Sequence, residues 1–139
     1  MTLTKPETQF LNIAKAAISG TEISTDAVDW PAIFTLSNQQ KLLPILFETV
    51  RKMPVAKENA ALFAVTKQQV IGQVLNQTVR SAEFADLYHK LRTAGLHPIV
   101  VKGQLCSRLY PLKDHRISAD DDLYIPDAEF MACHEQLLA

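Results

Sequence analysis

Cysteine is nearly absent. Cys106 and Cys133 are the only two in 139 residues, and they form no CxxC pair. That argues against a disulfide framework or a thiolate zinc centre and reads both as buried thiols on helices. An excess of charge is missing too. Lys+Arg number 14 against 15 Asp+Glu, a net charge of −1, so any basic patch for an anionic partner must be local. No apolar run approaches the roughly 18 residues of a membrane span. No apolar signal-peptide core opens the chain. Together these absences imply a cytoplasmic protein with no membrane partner. Repeats, low-complexity runs and long charged blocks are lacking as well. What remains is a chain with 47% hydrophobic residues, suited to a compact fold and not to a disordered tail.

Most of the sequence before residue 96 reads as helix. Thr4-Lys5-Pro6-Glu7 has the elements of a capping box with proline in the first turn. Phe10, Leu11, Ile13, Ala14, Ala17 and Ile18 follow at helical spacing, and Gly20 closes the segment. Asp29 caps a second helix whose buried side is Trp30, Ile33, Phe34 and Leu36, with Trp30 as a core anchor. Pro44 opens a third, carried by Ile45, Leu46, Phe47 and Val50, and Pro54 ends it. From Lys57 to Ala94 there is no proline and Gly72 is the only glycine, so this is one long helix or two broken at Gly72. Gly95 stops it. Gln68, Gln69, Gln73, Asn76 and Gln77 make one stretch amide-rich, which reads first as a solvated face and second as a wall facing a substrate cleft.

The chemistry-bearing residues gather in the last third. His97-Pro98-Ile99-Val100-Val101 predicts a short buried strand ending at Lys102-Gly103. Gln104 to Tyr110 predicts a helix up to Pro111. Strand, glycine and helix start make a place for a phosphate, because glycine admits it to the backbone and the first N–H groups point at it. Lys102, Arg108, Lys113 and Arg116 follow closely, opposed only by Asp114. Then Asp120-Asp121-Asp122 opens Leu123-Tyr124-Ile125, a second strand. Strand residues i and i+2 share a face, so Asp120 and Asp122 point one way, about 7 Å apart by the strand rise. Two such carboxylates suit a hard divalent cation such as Mg²⁺. Asp121 faces the other side and belongs at a wet strand rim, since an ionised group on an apolar face is costly. Gly103 ends one strand and the aspartates begin the next, so they meet if the strands are antiparallel.

These residues resemble a known family. Val100-Val101-Lys102-Gly103, then Leu109-Tyr110-Pro111, Arg116 and Asp120-x-Asp122-Leu123, are similar in kind and order to the uncharacterised nucleotidyltransferase family, within the DNA polymerase β-like superfamily. The helical region from Asp29-Trp30 to Gly95 is similar as well. The resemblance implies metal-dependent transfer of a nucleoside monophosphate from an NTP to an acceptor of unknown identity, with release of pyrophosphate. It assigns Asp120 and Asp122 as catalytic, metal-binding carboxylates, with two Mg²⁺ ions where the site is complete. Gly103 matches the glycine of its phosphate loop, and Lys102 and Arg116 match its basic positions, which we read as contacting phosphates or pairing with the carboxylates; with Gln104 these are the expected nucleotide-binding residues. Three departures stand out. Gln104 occupies a position usually held by Gly or Ser. Asp121 lies where an apolar residue is usual. Active members also supply a third carboxylate from a later strand, whereas Glu129 and Glu135 lie on a final helix running from Asp127 to Leu138.

The expected architecture is therefore α+β and mostly helical. A helical subdomain over 1–95 precedes the first, incomplete part of a nucleotidyltransferase α/β core over 96–139, with two short strands. The expected function is nucleotidyl transfer by a longer parent chain. The alternative is a non-catalytic module that binds a nucleotide or a protein partner. The unfinished sheet leaves a strand edge open to self-association.

Overall fold

The computed structural model describes residues 2–138. It is a mostly helical α+β fold. Among the described residues there are seven α-helices and one two-stranded sheet. No helix among them is long and apolar enough to cross a membrane. The chain forms two compact units. One runs through Val74 and takes in His115–Ile117; the other covers Leu75–Asp114 and the chain from Ser118 onward.

In the first unit local signals set the helix ends. Thr4 Oγ1 accepts from the Glu7 N–H while Glu7 Oε2 accepts from the Thr4 N–H at 2.7 Å, so α1 (Lys5–Ser19) opens with a closed capping box. The Thr4 backbone bond is the main reason the Glu7 carboxyl lies below its ordinary value. Gly20 takes φ +69 and returns its N–H to Ala16. Asp29 caps α2 (Trp30–Gln39) through the Ala32 N–H. The third helix, α3 (Leu43–Val50), stops short of Pro54; that proline instead leads into a single turn, α4 (Val55–Glu58). Helices α1, α2 and α3 pack on one another. Trp30, Phe34, Phe47 and Phe63 form an aromatic cluster with ring centroids 5.1–6.2 Å apart, an arrangement favoured by offset and edge contacts.

The long segment is one helix, α5 (Ala60–Thr93), about 51 Å at 1.5 Å per residue. Gly72 does not break it. A lone glycine costs about 1 kcal/mol in a helix, too little to offset the buried residues on either side.

In the second unit α5 ends in a Schellman motif. The Leu96 N–H reaches Leu91 and the Gly95 N–H reaches Arg92, with Gly95 at φ +82. Leu91 and Leu96 then form the local core with Cys133 of α7 (Phe130–Leu138), and Leu87, Leu123 and Ile125 pack against it. β1 (Ile99–Val100) and β2 (Leu123–Tyr124) pair antiparallel, Ile99 with Tyr124 and Val100 with Leu123. The expected buried strand over His97–Val101 is thus corrected to two residues. Ile99 and Val101 are more than half exposed, because only the Val100–Leu123 side of the pair turns toward the helical core. His97 extends the join: its N–H and ring Nδ1 both meet the Glu129 carboxylate, at 2.6 and 2.7 Å. Those bonds hold the Glu129 carboxyl below its ordinary value, the backbone one foremost.

Candidate active site

The antiparallel pair brings Lys102-Gly103 beside the aspartates. The ladder continues one step beyond the assigned strands, with the Val101 N–H donating to Asp122 O at 3.0 Å. Asp120, Asp121 and Asp122 therefore lie in extended chain just ahead of β2, not within it. Lys102 Nζ sits 3.0 Å from Asp122 Oδ2 and 3.5 Å from Asp120 Oδ2. The i and i+2 carboxylates thus reach one cation, as the period of extended chain requires. The hydrogen bond to Asp122, then the charges of Asp122 and Asp120, raise the Lys102 ammonium above its ordinary value.

Gly103 is buried at φ +74 and ψ −107, a conformation that suits glycine. The space a side chain would fill there is taken by Asp121. Asp121 Oδ1 is buried and has no hydrogen-bond partner. The expected wet rim is therefore corrected: Asp121 leaves the strand face, but one of its oxygens is shielded by the Gly103 turn.

Gln104 opens α6 (Gln104–Ser107), a single turn where a helix to Tyr110 was expected. Arg108, Leu109 and Tyr110 donate to carbonyls three residues back, so the chain tightens toward Pro111 instead of continuing as α-helix. One turn aligns few peptide dipoles, which leaves the Gly103 backbone turn as the main anion-receptive feature. Arg116 belongs to the first unit and is half-buried there.

One group of residues escaped the sequence reading. Gln77, Arg80 and Ser81 are at i, i+3 and i+4 on α5 and so share a face. Gln77 Oε1 accepts the Ser118 N–H at 2.9 Å, and the Arg80 guanidinium donates to the Ala119 carbonyl. Ser118 Oγ passes the constraint on, donating to Asp120 O at 2.9 Å. Ser81 Oγ accepts from Gln104 Nε2 at 3.2 Å. One helix face therefore holds both the loop entering the aspartates and the residue after Gly103. The amide-rich stretch signalled a polar face, and Gln68, Gln69 and Asn76 are indeed exposed, but Gln77 is 4% exposed.

Methionine at Gln77 keeps the length and removes the acceptor. It is expected to cost about 1–3 kcal/mol, the penalty for stranding a buried donor. Glutamate at Gln77 keeps an acceptor oxygen and should retain amide protection at Ser118. Hydrogen exchange at the Ser118 amide checks both, and unchanged protection in the Met variant counts against the bracket.

Two carboxylates drawn to one positive charge have the donor chemistry of a hard divalent cation. Among the described residues no group of three or more His, Cys, Asp or Glu could hold a metal. The donors present fit an ion that takes one or two carboxylates and completes its shell from substrate oxygens.

A family model described as uncharacterised nucleotidyltransferase matches residues 26–139. No curated protein and no solved structure matches the chain. The family match supports a general nucleotidyltransferase role and a nucleotide as substrate.

Proposed function

Since the chain belongs to the uncharacterised nucleotidyltransferase family, we propose that it takes part in metal-dependent transfer of a nucleoside monophosphate from an NTP to an acceptor. The observation that carries the reading is the shared hold of Asp120 and Asp122 on Lys102 Nζ, beside the positive-φ turn at Gly103. Asp120 and Asp122 present the oxygens for Mg²⁺, with two ions in a completed site. Mg²⁺, when bound, neutralises phosphate charge and lowers the cost of developing charge on the attacking and leaving oxygens. Lys102 would offer its ammonium to the phosphates when a metal takes the carboxylates it now pairs with. Gly103 would let a phosphate oxygen approach the backbone once the Asp121 carboxylate moves aside, with Gln104 behind it held by Ser81. Arg116 enters through its place in the motif, as a charge-assisted donor to phosphate. The outer edges of the two-stranded pair suit pairing with another strand, including one from a second copy.

The test is turnover of radiolabelled NTP by the protein with Mg²⁺ and with chelator. Labelled acceptor together with pyrophosphate, present only with the metal, is the expected result. Turnover indifferent to chelation would overturn the metal assignment.

A second reading is favoured by Asp121, whose carboxylate fills the space over Gly103. A module that binds without transfer needs no phosphate seated on the Gly103 backbone and would tolerate that crowding. Calorimetry separates the two: metal-independent NTP binding with no pyrophosphate release supports the module.

A further inference from the structure

A cleft in the second unit lies beside the transfer site, with Ser81 and Gln104 in its wall, and neither Asp120 nor Asp122 lines it. Its volume is about 390 Å³, within the range of small-molecule sites. Phe84 and Tyr88 come from α5 at i and i+4, so they share one face of that helix and line the cleft together. Val100 and Leu105 extend the apolar lining. The charged lining residues are both cations, Arg108 and Lys113. Neither is paired with a carboxylate among the described residues. No acid lines the cleft: Asp114 accepts from Thr78 Oγ1 at 2.9 Å, and Asp120 and Asp122 hold Lys102.

Each feature selects for part of a ligand. An aromatic and aliphatic lining gains by covering a ring, through apolar burial and ring contacts. Two cations in a lining that holds no carboxylate attract an anion and repel a cation. Arg108 adds the planar fork that grips a carboxylate or phosphate by two parallel bonds. A neutral ring leaves that charge unanswered, and a bare inorganic anion leaves the apolar lining wet.

We propose that this cleft binds a small aromatic anion, its ring against Phe84 and Tyr88 and its carboxylate or phosphate toward Arg108 and Lys113. Binding does not rest on the transferase reading, because neither Asp120 nor Asp122 takes part. Under that reading, such a ligand is the class of acceptor to seek.

Titration calorimetry of the chain with naphthoate, naphthalene methanol, AMP and inorganic phosphate tests it. At least one ring anion should bind about tenfold more tightly than both the neutral ring and phosphate, the margin of one charge-assisted contact. Naphthoate as the tighter probe indicates an aromatic carboxylate, and AMP a nucleotide. The double variant Arg108→Ala/Lys113→Ala should erase the margin while Asp122→Asn retains it. Because screening weakens exposed charge, half-molar salt should shrink the same margin in the unaltered chain, a check that needs no variant. The proposal is overturned if the ring anions bind no better than phosphate or the neutral ring. It is also overturned if the margin survives the double variant, or disappears with Asp122→Asn alone. Loss of NTP turnover with intact naphthoate binding would count against the transferase reading only.

Discussion

Asparagine at Asp122 is expected to lower nucleotidyl transfer on the order of 100- to 1000-fold, the range for losing one preorganised electrostatic contact. The substitution keeps shape and hydrogen-bonding capacity but removes the charge. Asp122 is the nearer of the two carboxylates to Lys102 Nζ, 3.0 Å against 3.5 Å for Asp120. It is also the first cause of the raised Lys102 value. Asp120→Asn is expected to fall in the same range, since both oxygens address one position. Neither change should unfold the protein, because the two side chains are 46% and 68% exposed. A raised lysine value means the ion pair is present below the ordinary lysine range and is lost only as pH rises through the raised value. Lys102 therefore keeps its charge at neutral pH. Radiolabelled NTP turnover and pyrophosphate release supply the measurement. Full activity in both variants would remove these aspartates from the mechanism.

Local chemistry made much of the helical part legible in the sequence. Thr4 with Glu7, Asp29, Gly20 and Gly95 each fix a helix end through bonds made within a few residues. The relation of Asp120 to Asp122 was readable for a similar reason. Side-chain direction in extended chain alternates whatever the neighbours do, so their common target follows from spacing alone. The antiparallel pairing followed from a constraint of order, with Gly103 ending one extended segment and the aspartates beginning the other.

What escaped depends on partners far along the chain. The length of β1 is set by how much of β2 it meets, and β-branched composition at Ile99, Val100 and Val101 carries no information about that. Gln77 looks like its exposed neighbours Gln68 and Asn76 until Ser118 arrives at its Oε1. The stop of α6 at Ser107 likewise reflects tightening before Pro111, which a spacing of apolar residues over 104–110 does not reveal. Asp121 is the sharpest case. Alternation placed it opposite its two neighbours, but nothing in the spacing says that its oxygen meets the Gly103 turn.

That meeting makes Gly103 the position least tolerant of a side chain. Alanine there is expected to destabilise the second unit by about 2–5 kcal/mol, combining backbone strain with overpacking. The strain arises because φ is +74, which an L-residue with a Cβ adopts at a cost. The overpacking arises because the new methyl would overlap Asp121 Oδ1 and stand 2.9 Å from both the Cγ and the backbone Cα of Asp121. Only the side-chain part of that overlap can be relieved from Asp121. Asp121→Ala alone should be neutral or stabilising by about 1 kcal/mol, since it removes a buried oxygen without a partner. In the Asp121→Ala background, Gly103→Ala should recover part of its loss but not all, because the crowding against the residue 121 backbone and the positive φ remain. Denaturant unfolding of the four proteins in this cycle gives the coupling directly. No coupling would mean that Asp121 does not rest on the turn, and the case for a crowded phosphate loop would go with it. A coupling of the expected sign has a functional corollary. Asp121 fills the space over the Gly103 backbone that a phosphate would need, so Asp121→Ala should tighten NTP binding while Gly103→Ala weakens it.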